Sequence, residues 1–215
     1  MIKELIESSE FKKLEQDYKF LSRAREQLYK LENEPYVILD CETTGLEAAT
    51  SEIIEIAALK VEKGDIQSVF NKLIKPKNPL PPEIIRLTNI TPEFLMDAPP
   101  LSEVISPLLQ FIGNTALVMH NADFDLSFIN YHIFQPRKKE LGNSTICTLK
   151  AARFLLPNLQ SHKLVNLAQY FGIPARNSHR ALGDAETTLA LWYKLIPLLR
   201  EKEIYSKEDL RKIPR

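Results

Sequence analysis

A short apolar run that ends in two acidic residues constrains the fold of this chain more than any other feature. The run Tyr36-Val37-Ile38-Leu39 leads directly into Asp40 and Glu42, as expected for a central strand that is covered on both faces. Residues two apart in a strand project on the same face, so both carboxylates can point at one cation. Two like charges so close repel each other unless a cation offsets them. This strand end therefore predicts a metal site.

Two more acidic residues lie at the boundaries of predicted elements. Asp125 stands early in the helix that follows a predicted strand at Ala116–Met119, and Asp184 enters the last predicted helix. Carboxylate oxygens are the ligands that Mg²⁺ and Mn²⁺ prefer. Four carboxylates from separate segments suit two such ions, which clamp the attacking and leaving oxygens of a phosphoryl displacement. His179, five residues before Asp184, is suited to deprotonating a water held there near neutral pH.

The apolar pattern predicts one α/β unit with a mixed sheet. A chain of 215 residues, 44% of them hydrophobic, can bury one substantial core. Strands are expected over residues 53–61 and 69–74, and strand and helix then alternate from residue 101. The proline-rich stretch 76–100 predicts an ordered loop with short helical pieces. Helices are expected over residues 101–112, from 122 through 134, around 148–155 and 163–171, and from about 181 to 199.

The two ends of the chain have a different sequence pattern from the predicted α/β unit. Residues 1–34 contain no Gly or Pro, which favours one or two amphipathic helices. Their apolar residues recur at three- and four-residue steps, namely Phe11, Leu14, Tyr18, Leu21, Leu28 and Leu31. This helical extension either packs on its own domain or binds a partner or a second copy, and the sequence does not decide between these. Residues 35–200 form the predicted catalytic domain, and residues 201–215 form a charged C-terminal tail whose order the sequence leaves open.

Composition narrows the class of protein. The 28 Lys and Arg residues balance the 28 Asp and Glu residues, so any nucleic-acid site must be local. Cys41 and Cys147 form neither a disulfide framework nor a paired zinc-ligand motif. No run approaches membrane-spanning length, and the amino terminus lacks the apolar core of a secretion signal. A cytoplasmic protein without membrane partners is expected.

Three motifs together resemble those of a known nuclease family. They are Asp40-Cys41-Glu42-Thr43-Thr44-Gly45, His120-Asn121-Ala122-Asp123-Phe124-Asp125 and His179-Arg180-Ala181-Leu182-Gly183-Asp184-Ala185. In order and spacing they resemble the three motifs of the DEDDh branch of DnaQ-like 3′→5′ exonucleases, over residues 36 to about 199. The resemblance implies a ribonuclease-H-like fold, with a mixed five-stranded sheet flanked by helices. Asp123 is not the matching acidic position, because the acidic residue of that motif follows the phenylalanine.

The resemblance also implies roles for individual residues. It implies that Asp40, Glu42, Asp125 and Asp184 hold two divalent cations, Mg²⁺ or Mn²⁺, and that His179 is the general base. The same resemblance implies substrate contacts at Thr43, Thr44, Gly45, Leu46, His120, Asn121 and Phe124. For His120 a structural, hydrogen-bonded role is the competing interpretation. Stacking and apolar contacts tolerate any base, so little sequence preference is expected.

The function implied is that of a 3′→5′ exonuclease that removes 5′-mononucleotides from DNA 3′ ends by two-metal-ion hydrolysis, in proofreading or repair. Its expected partners are single-stranded or frayed nucleic-acid 3′ ends and a DNA polymerase subunit. One alternative is an exonuclease for RNA or short oligonucleotides with the same site. The other is a catalytically silent nucleic-acid-binding module, which would have no chemical need for four carboxylates and a histidine.

Overall fold

Five strands form one mixed sheet in the order β3-β2-β1-β4-β5. The computed structural model describes residues 6, 8–134, 140–175 and 177–213. The strands are β1 (Tyr36–Thr43), β2 (Ile53–Glu62), β3 (Asp65–Leu73), β4 (Ala116–Met119) and β5 (Thr145–Cys147). Strand β1 is antiparallel to β2 and parallel to β4, and β5 is parallel to β4. The predicted α/β fold with a mixed five-stranded sheet is therefore confirmed.

Helices cover both faces of this sheet and fill the connections. In chain order they are α1 (Ser9–Leu28), α2 (Lys30–Asn33), α3 (Pro82–Thr88), α4 (Pro92–Leu95), α5 (Leu101–Ile112), α6 (Ala122–Ile129), α7 (Thr148–Leu155), α8 (Leu164–Tyr170) and α9 (Ala181–Glu201). A π-helical turn over Asn130–Phe134 continues α6, and a 3₁₀ turn covers Asp209–Lys212. The two short helices in the proline-rich stretch, α3 and α4, each begin with a proline, whose missing N–H costs nothing in a first turn.

The two faces of β1 pack against different helices. Val37 and Leu39 lie in a core cluster with residues of α5 and α6, whereas Ile38 lies in a second cluster with Trp192 of α9. Because successive strand residues alternate between faces, Asp40 and Glu42 continue the face that carries Ile38. The alternation along β1 therefore places both carboxylates on the side of the sheet against which α9 packs.

One strand begins earlier than predicted, and another was not found by the sequence pattern. Strand β3 begins at Asp65 rather than near residue 69, and most of its residues are exposed because it is an edge strand. Strand β5 has three residues, too few for an apolar alternation to show in the sequence. It is held by parallel pairing to β4 instead.

The segments at the two ends behave differently from each other. Beyond α9 the chain turns back onto the domain, where Ile204 is buried and Leu210 packs against the α9 side of the core. At the other end α2 is anchored by the buried Leu31, but no side chain of α1 is buried. Within the ranges given above, no helix has the length and apolar character needed to cross a bilayer.

Candidate active site

Three carboxylates meet where β1 ends and α9 begins. Asp40 and Glu42 come from β1, and Asp184 comes from the first turn of α9. One oxygen from each of the three lies within 4.8 Å of the others. All three side chains are half-buried, so they stay accessible to water from one side. Hard oxygen ligands at this spacing, with places left for water and phosphate, fit Mg²⁺ or Mn²⁺.

Asp125 approaches the same strand from the other face of the sheet. It lies in the first turn of α6 and is buried, and its Oδ1 accepts a hydrogen bond of 3.1 Å from the backbone N–H of Cys41. Cys41 stands between Asp40 and Glu42, so this bond fixes Asp125 beside them. Burial raises the pKa of Asp125 to about 8, although backbone hydrogen bonds, including the one from Cys41, oppose the rise. The neighbouring Asp123 is exposed instead and pairs with Lys150 at 2.8 Å.

Burial raises the pKa of the carboxylates, and for Asp40 and Glu42 the neighbouring negative charges add to the rise. Burial, and then the charges of Asp125 and Glu42, raise the pKa of Asp40 well above its usual range. Burial and the charge of Asp184 raise the pKa of Glu42 to about 8. Burial also raises the pKa of Asp184, against a hydrogen bond from the backbone of His179. Such a cluster holds protons near neutral pH unless cations offset its charge.

His179 lies in the loop that precedes α9. Its backbone N–H donates to Oδ2 of Asp184 at 3.1 Å, and its imidazole is exposed to solvent. The residue has a positive φ of 62°, a left-handed conformation that a non-glycine residue keeps only when its surroundings hold it. The bond to Asp184 supplies that restraint. The carboxylate of Asp184 therefore belongs both to the acidic cluster and to the structure of the loop that carries His179.

Sequence reasoning missed a buried ion pair behind this loop. Glu55 of β2 is fully buried and lies opposite Glu42 in the strand register. Its two oxygens accept hydrogen bonds from Nε and Nη2 of Arg180, both at 2.9 Å, and one of them also accepts from the N–H of Ala181 at 3.1 Å. The pair fixes the start of α9 to the sheet. The available signal was a glutamate within the apolar first part of the strand, residues 53–59, since a buried charge requires a partner.

The four predicted substrate residues that follow Glu42 form a tight loop. Thr43 Oγ1 donates to the carbonyl of Gly45 at 2.6 Å, and Thr44 Oγ1 accepts from the N–H of Glu52 at 2.9 Å. A Cβ on Gly45 would lie 2.5 Å from a serine hydroxyl in the same loop, so the position requires glycine unless that hydroxyl moves. Leu46 follows with 80% of its surface exposed. This loop therefore presents an apolar side chain to solvent four residues after Glu42.

The three other predicted substrate residues have different surroundings. His120 bonds to Oγ1 of Thr148 at 2.9 Å through Nδ1 and to the carbonyl of His162 at 3.1 Å through Nε2. A carbonyl only accepts, so Nε2 carries the hydrogen, and burial lowers the pKa of His120 to about 4. Both ring nitrogens are thus engaged within the chain, as in the structural interpretation. Asn121 is exposed at the start of α6, and Phe124 is half-buried with its ring on the core.

A mixed sheet whose central strand ends in a cluster of acidic side chains defines the class of metal-dependent nucleases with a ribonuclease-H-like fold. The exonuclease family profile, RNase_T, matches residues 37–192. The chain therefore belongs to this DnaQ-like exonuclease family, as the three motifs predict.

Two curated relatives illustrate the range of this family. The DNA polymerase III PolC-type protein of Bacillus subtilis is 41% identical over 181 residues, which cover 84% of this chain but 13% of the relative. The DNA polymerase III subunit epsilon of Aquifex aeolicus is 36% identical over 181 residues, which cover 82% of this chain and 90% of the relative. The chain thus spans a small part of the PolC-type relatives and nearly the full length of the epsilon subunit.

A solved structure shows the same fold. Exonuclease X in complex with 5′ overhanging duplex DNA superimposes with a TM-score of 0.64 and 29% sequence identity. The match covers 83% of this chain and 98% of that one. Its extent confirms the ribonuclease-H-like architecture that the motifs imply.

Proposed function

We propose that this exonuclease removes 5′-mononucleotides from the 3′ ends of DNA by two-metal-ion hydrolysis. The observation that carries the proposal is the convergence of Asp40, Glu42 and Asp184, whose oxygens lie within 4.8 Å of one another, with Asp125 bonded to the backbone between the first two. Oxygen ligands of this kind suit Mg²⁺ or Mn²⁺. When bound, such ions supply electrostatic stabilisation to the attacking and leaving oxygens of the phosphodiester.

The residues of the chain have separate tasks in this proposal. Asp40, Glu42, Asp125 and Asp184 hold the two cations. His179 is the general base, which accepts a proton from the attacking water through its exposed imidazole. The hydrogen bond from its backbone to Asp184 keeps the loop next to the carboxylates, so base and metal ligands keep a fixed relation during the reaction.

We assign contacts with the terminal nucleotide to the loop that follows Glu42. Leu46 is exposed and can pack on a base, while Thr43, Thr44 and Gly45 hold the loop backbone close to the terminal nucleotide. Asn121 follows β4, the parallel neighbour of β1, and is proposed to shape the entry of the DNA strand. The buried contacts of His120 and the packing of Phe124 favour an indirect role for both, in which they support the site from behind.

The names of the relatives support DNA as the substrate and a DNA polymerase subunit as the partner. One relative cited above is named a PolC-type DNA polymerase III and the other a subunit of DNA polymerase III, and the solved exonuclease X complex contains duplex DNA. We therefore propose proofreading or repair of frayed 3′ ends together with a DNA polymerase subunit. A cytoplasmic location is part of the same proposal.

The test uses four 5′-labelled substrates: matched and mismatched 3′-recessed duplex DNA, single-stranded DNA and single-stranded RNA. Each is incubated with the protein in Mg²⁺, Mn²⁺ or EDTA. We expect a metal-dependent ladder that shortens from the 3′ end, fastest on mismatched and single-stranded DNA. Cleavage of RNA alone would show that the protein is an RNA exonuclease instead. No cleavage with either ion would refute the proposal that the protein is an enzyme.

Two matched variants test whether the carboxylate cluster is responsible for the cleavage. Asp125→Asn is expected to lose several orders of magnitude in rate, because the buried carboxylate contributes charge to the cations. Asp123→Asn is the matched control, since it changes an acidic residue two positions away that is exposed and paired with Lys150. Equal losses in both variants would contradict the assignment of Asp125.

A further inference from the structure

Helix α1 leaves its apolar side chains uncovered. None of the described side chains in Ser9–Leu28 is buried, and the main neighbour of this helix is the short helix α2 that follows it. Tyr18 is 72% exposed, Leu14 66% and Leu21 64%. A helix of 20 residues is about 30 Å long, and without tertiary packing such a helix is only marginally stable in water. The exposed apolar side chains therefore indicate that another surface packs against this helix.

The apolar residues of α1 follow a heptad repeat. They occupy successive positions at alternating steps of three and four, with one arginine among them: Phe11, Leu14, Tyr18, Leu21, Arg25 and Leu28. Taking Phe11 as position a, these six residues are the a and d positions of a coiled coil. Phe20 is as exposed as Tyr18 but lies at position c, outside the stripe. The spacing is that of a helix that pairs with another helix along one seam.

We propose that α1 pairs with α1 of a second copy of this chain in an antiparallel coiled coil. The charges in and beside the seam favour this orientation. In a parallel pair each Arg25 would face its own counterpart across the seam, and Glu10 at position g would face Glu15 at position e. Like charges so placed oppose association.

The antiparallel pair removes both conflicts. It places Phe11 opposite Leu28, Tyr18 opposite Leu21 and Leu14 opposite Arg25. The aliphatic stem of Arg25 can then cover Leu14 while its guanidinium reaches acidic residues that border the seam of the opposing helix. These residues lie on both sides of the seam, with Glu10 and Asp17 at g positions on one side and Glu15 at an e position on the other. One polar residue in the seam is also a common means of fixing register and orientation.

The position of α1 leaves the catalytic end of the sheet free. The helix joins the domain through α2, where the carbonyl of Leu31 accepts a hydrogen bond of 2.7 Å from the hydroxyl of Tyr36. Tyr36 is the first residue of β1, and the carboxylates lie at the other end of that strand. Pairing through α1 therefore keeps both sites of the dimer open to substrate.

The oligomeric state of the full chain tests the pairing. Sedimentation equilibrium is expected to give twice the 24.7 kDa mass of one chain. Leu14→Glu combined with Leu21→Glu should give a monomer that retains the thermal unfolding of the domain and its nuclease rate per chain, because neither side chain is buried. Phe20→Glu is the matched control and should stay dimeric. A wild-type monomer at concentrations up to roughly 0.1 mM, or dissociation by the control, overturns the proposal.

Cysteine cross-linking tests the orientation. The variants Leu14→Cys and Arg25→Cys are mixed and treated with a short thiol cross-linker, with the wild-type chain as background because it contains Cys41 and Cys147. The antiparallel pair predicts a cross-linked product that contains one chain of each variant and that is absent when either variant is treated alone. A cross-linked dimer of Arg25→Cys alone would show a parallel pair and overturn the proposed orientation.

Discussion

Replacing Glu42 by glutamine should stabilise the metal-free protein. Burial and the charge of Asp184 raise the pKa of Glu42 from 4.5 to about 8. A carboxyl group whose folded-state pKa is raised favours the folded protein below pH 4.5, and this contribution is lost as the pH rises to about 8. Glutamine has nearly the same shape and no charge, so it removes this penalty. The gain therefore appears at pH 8 and is largely absent at pH 4.5.

The magnitude follows from the two pKa values. Each pH unit between them corresponds to about 1.36 kcal/mol, which sets an upper limit of about 5 kcal/mol for full ionisation of Glu42. Water in the half-open cleft reduces both the cost of burying the charge and its repulsion by Asp184, so we expect a stabilisation of about 2 kcal/mol. For a chain of this size, that corresponds to an increase in melting temperature of about 4 to 8 °C.

The assay is thermal unfolding in EDTA at pH 8 and pH 5. Glu47→Gln is the matched control, because Glu47 is an exposed acidic residue of the adjoining loop, and it should leave the melting temperature unchanged. Addition of Mn²⁺ should reverse the order, since the wild type has the additional ligand. If Glu42→Gln unfolds below the wild type at pH 8 in EDTA, the buried charge of Glu42 beside Asp184 does not limit the stability of the metal-free protein.

Three further perturbations test the surroundings of the site. Arg180→Ala leaves the buried Glu55 without its partner and should lower the free energy of unfolding in urea by about 3 to 5 kcal/mol; a loss below 1 kcal/mol would argue against the pair as an anchor of α9. Gly45→Ala forces a serine hydroxyl away from a Cβ that would lie 2.5 Å from it and should raise KM for single-stranded DNA, whereas Gly142→Ala, with nothing within 4 Å, should not; equal KM values would show that the loop adapts. His120→Phe removes two hydrogen bonds and should lower the free energy of unfolding by about 1 to 3 kcal/mol without changing KM, whereas a large rise in KM alone would indicate direct substrate contact.

Sequence analysis could place the acidic residues that lie at the ends of strongly patterned strands and helices. Asp40 and Glu42 end an apolar strand, and Asp184 begins a helix, so their placement follows from local patterns and from the order of the motifs. The central strands and α9 are long and strongly patterned, which makes them recognisable from the sequence.

The remaining features depend on contacts between distant segments. Arg180 and Glu55 are 125 residues apart, and no local pattern connects them. The partners of His120 come from α7 and from the loop before α8, so its structural setting could only be offered as one of two interpretations. The exposure of α1 is likewise not encoded in its amphipathic pattern, because the same pattern would serve a helix that packs on its own domain.

The double use of the Asp184 carboxylate has a consequence for how mutational data on this protein should be interpreted. One oxygen accepts the backbone N–H of His179, so removal of the side chain takes away a negative charge and releases the segment that carries the imidazole. Losses in rate caused by Asp184→Ala and His179→Ala should therefore not multiply in the double variant, because the first substitution already includes part of the second. Asp184→Asn retains an acceptor oxygen, and comparison of its coupling to His179→Ala with that of Asp184→Ala separates the loss of charge from the loss of position.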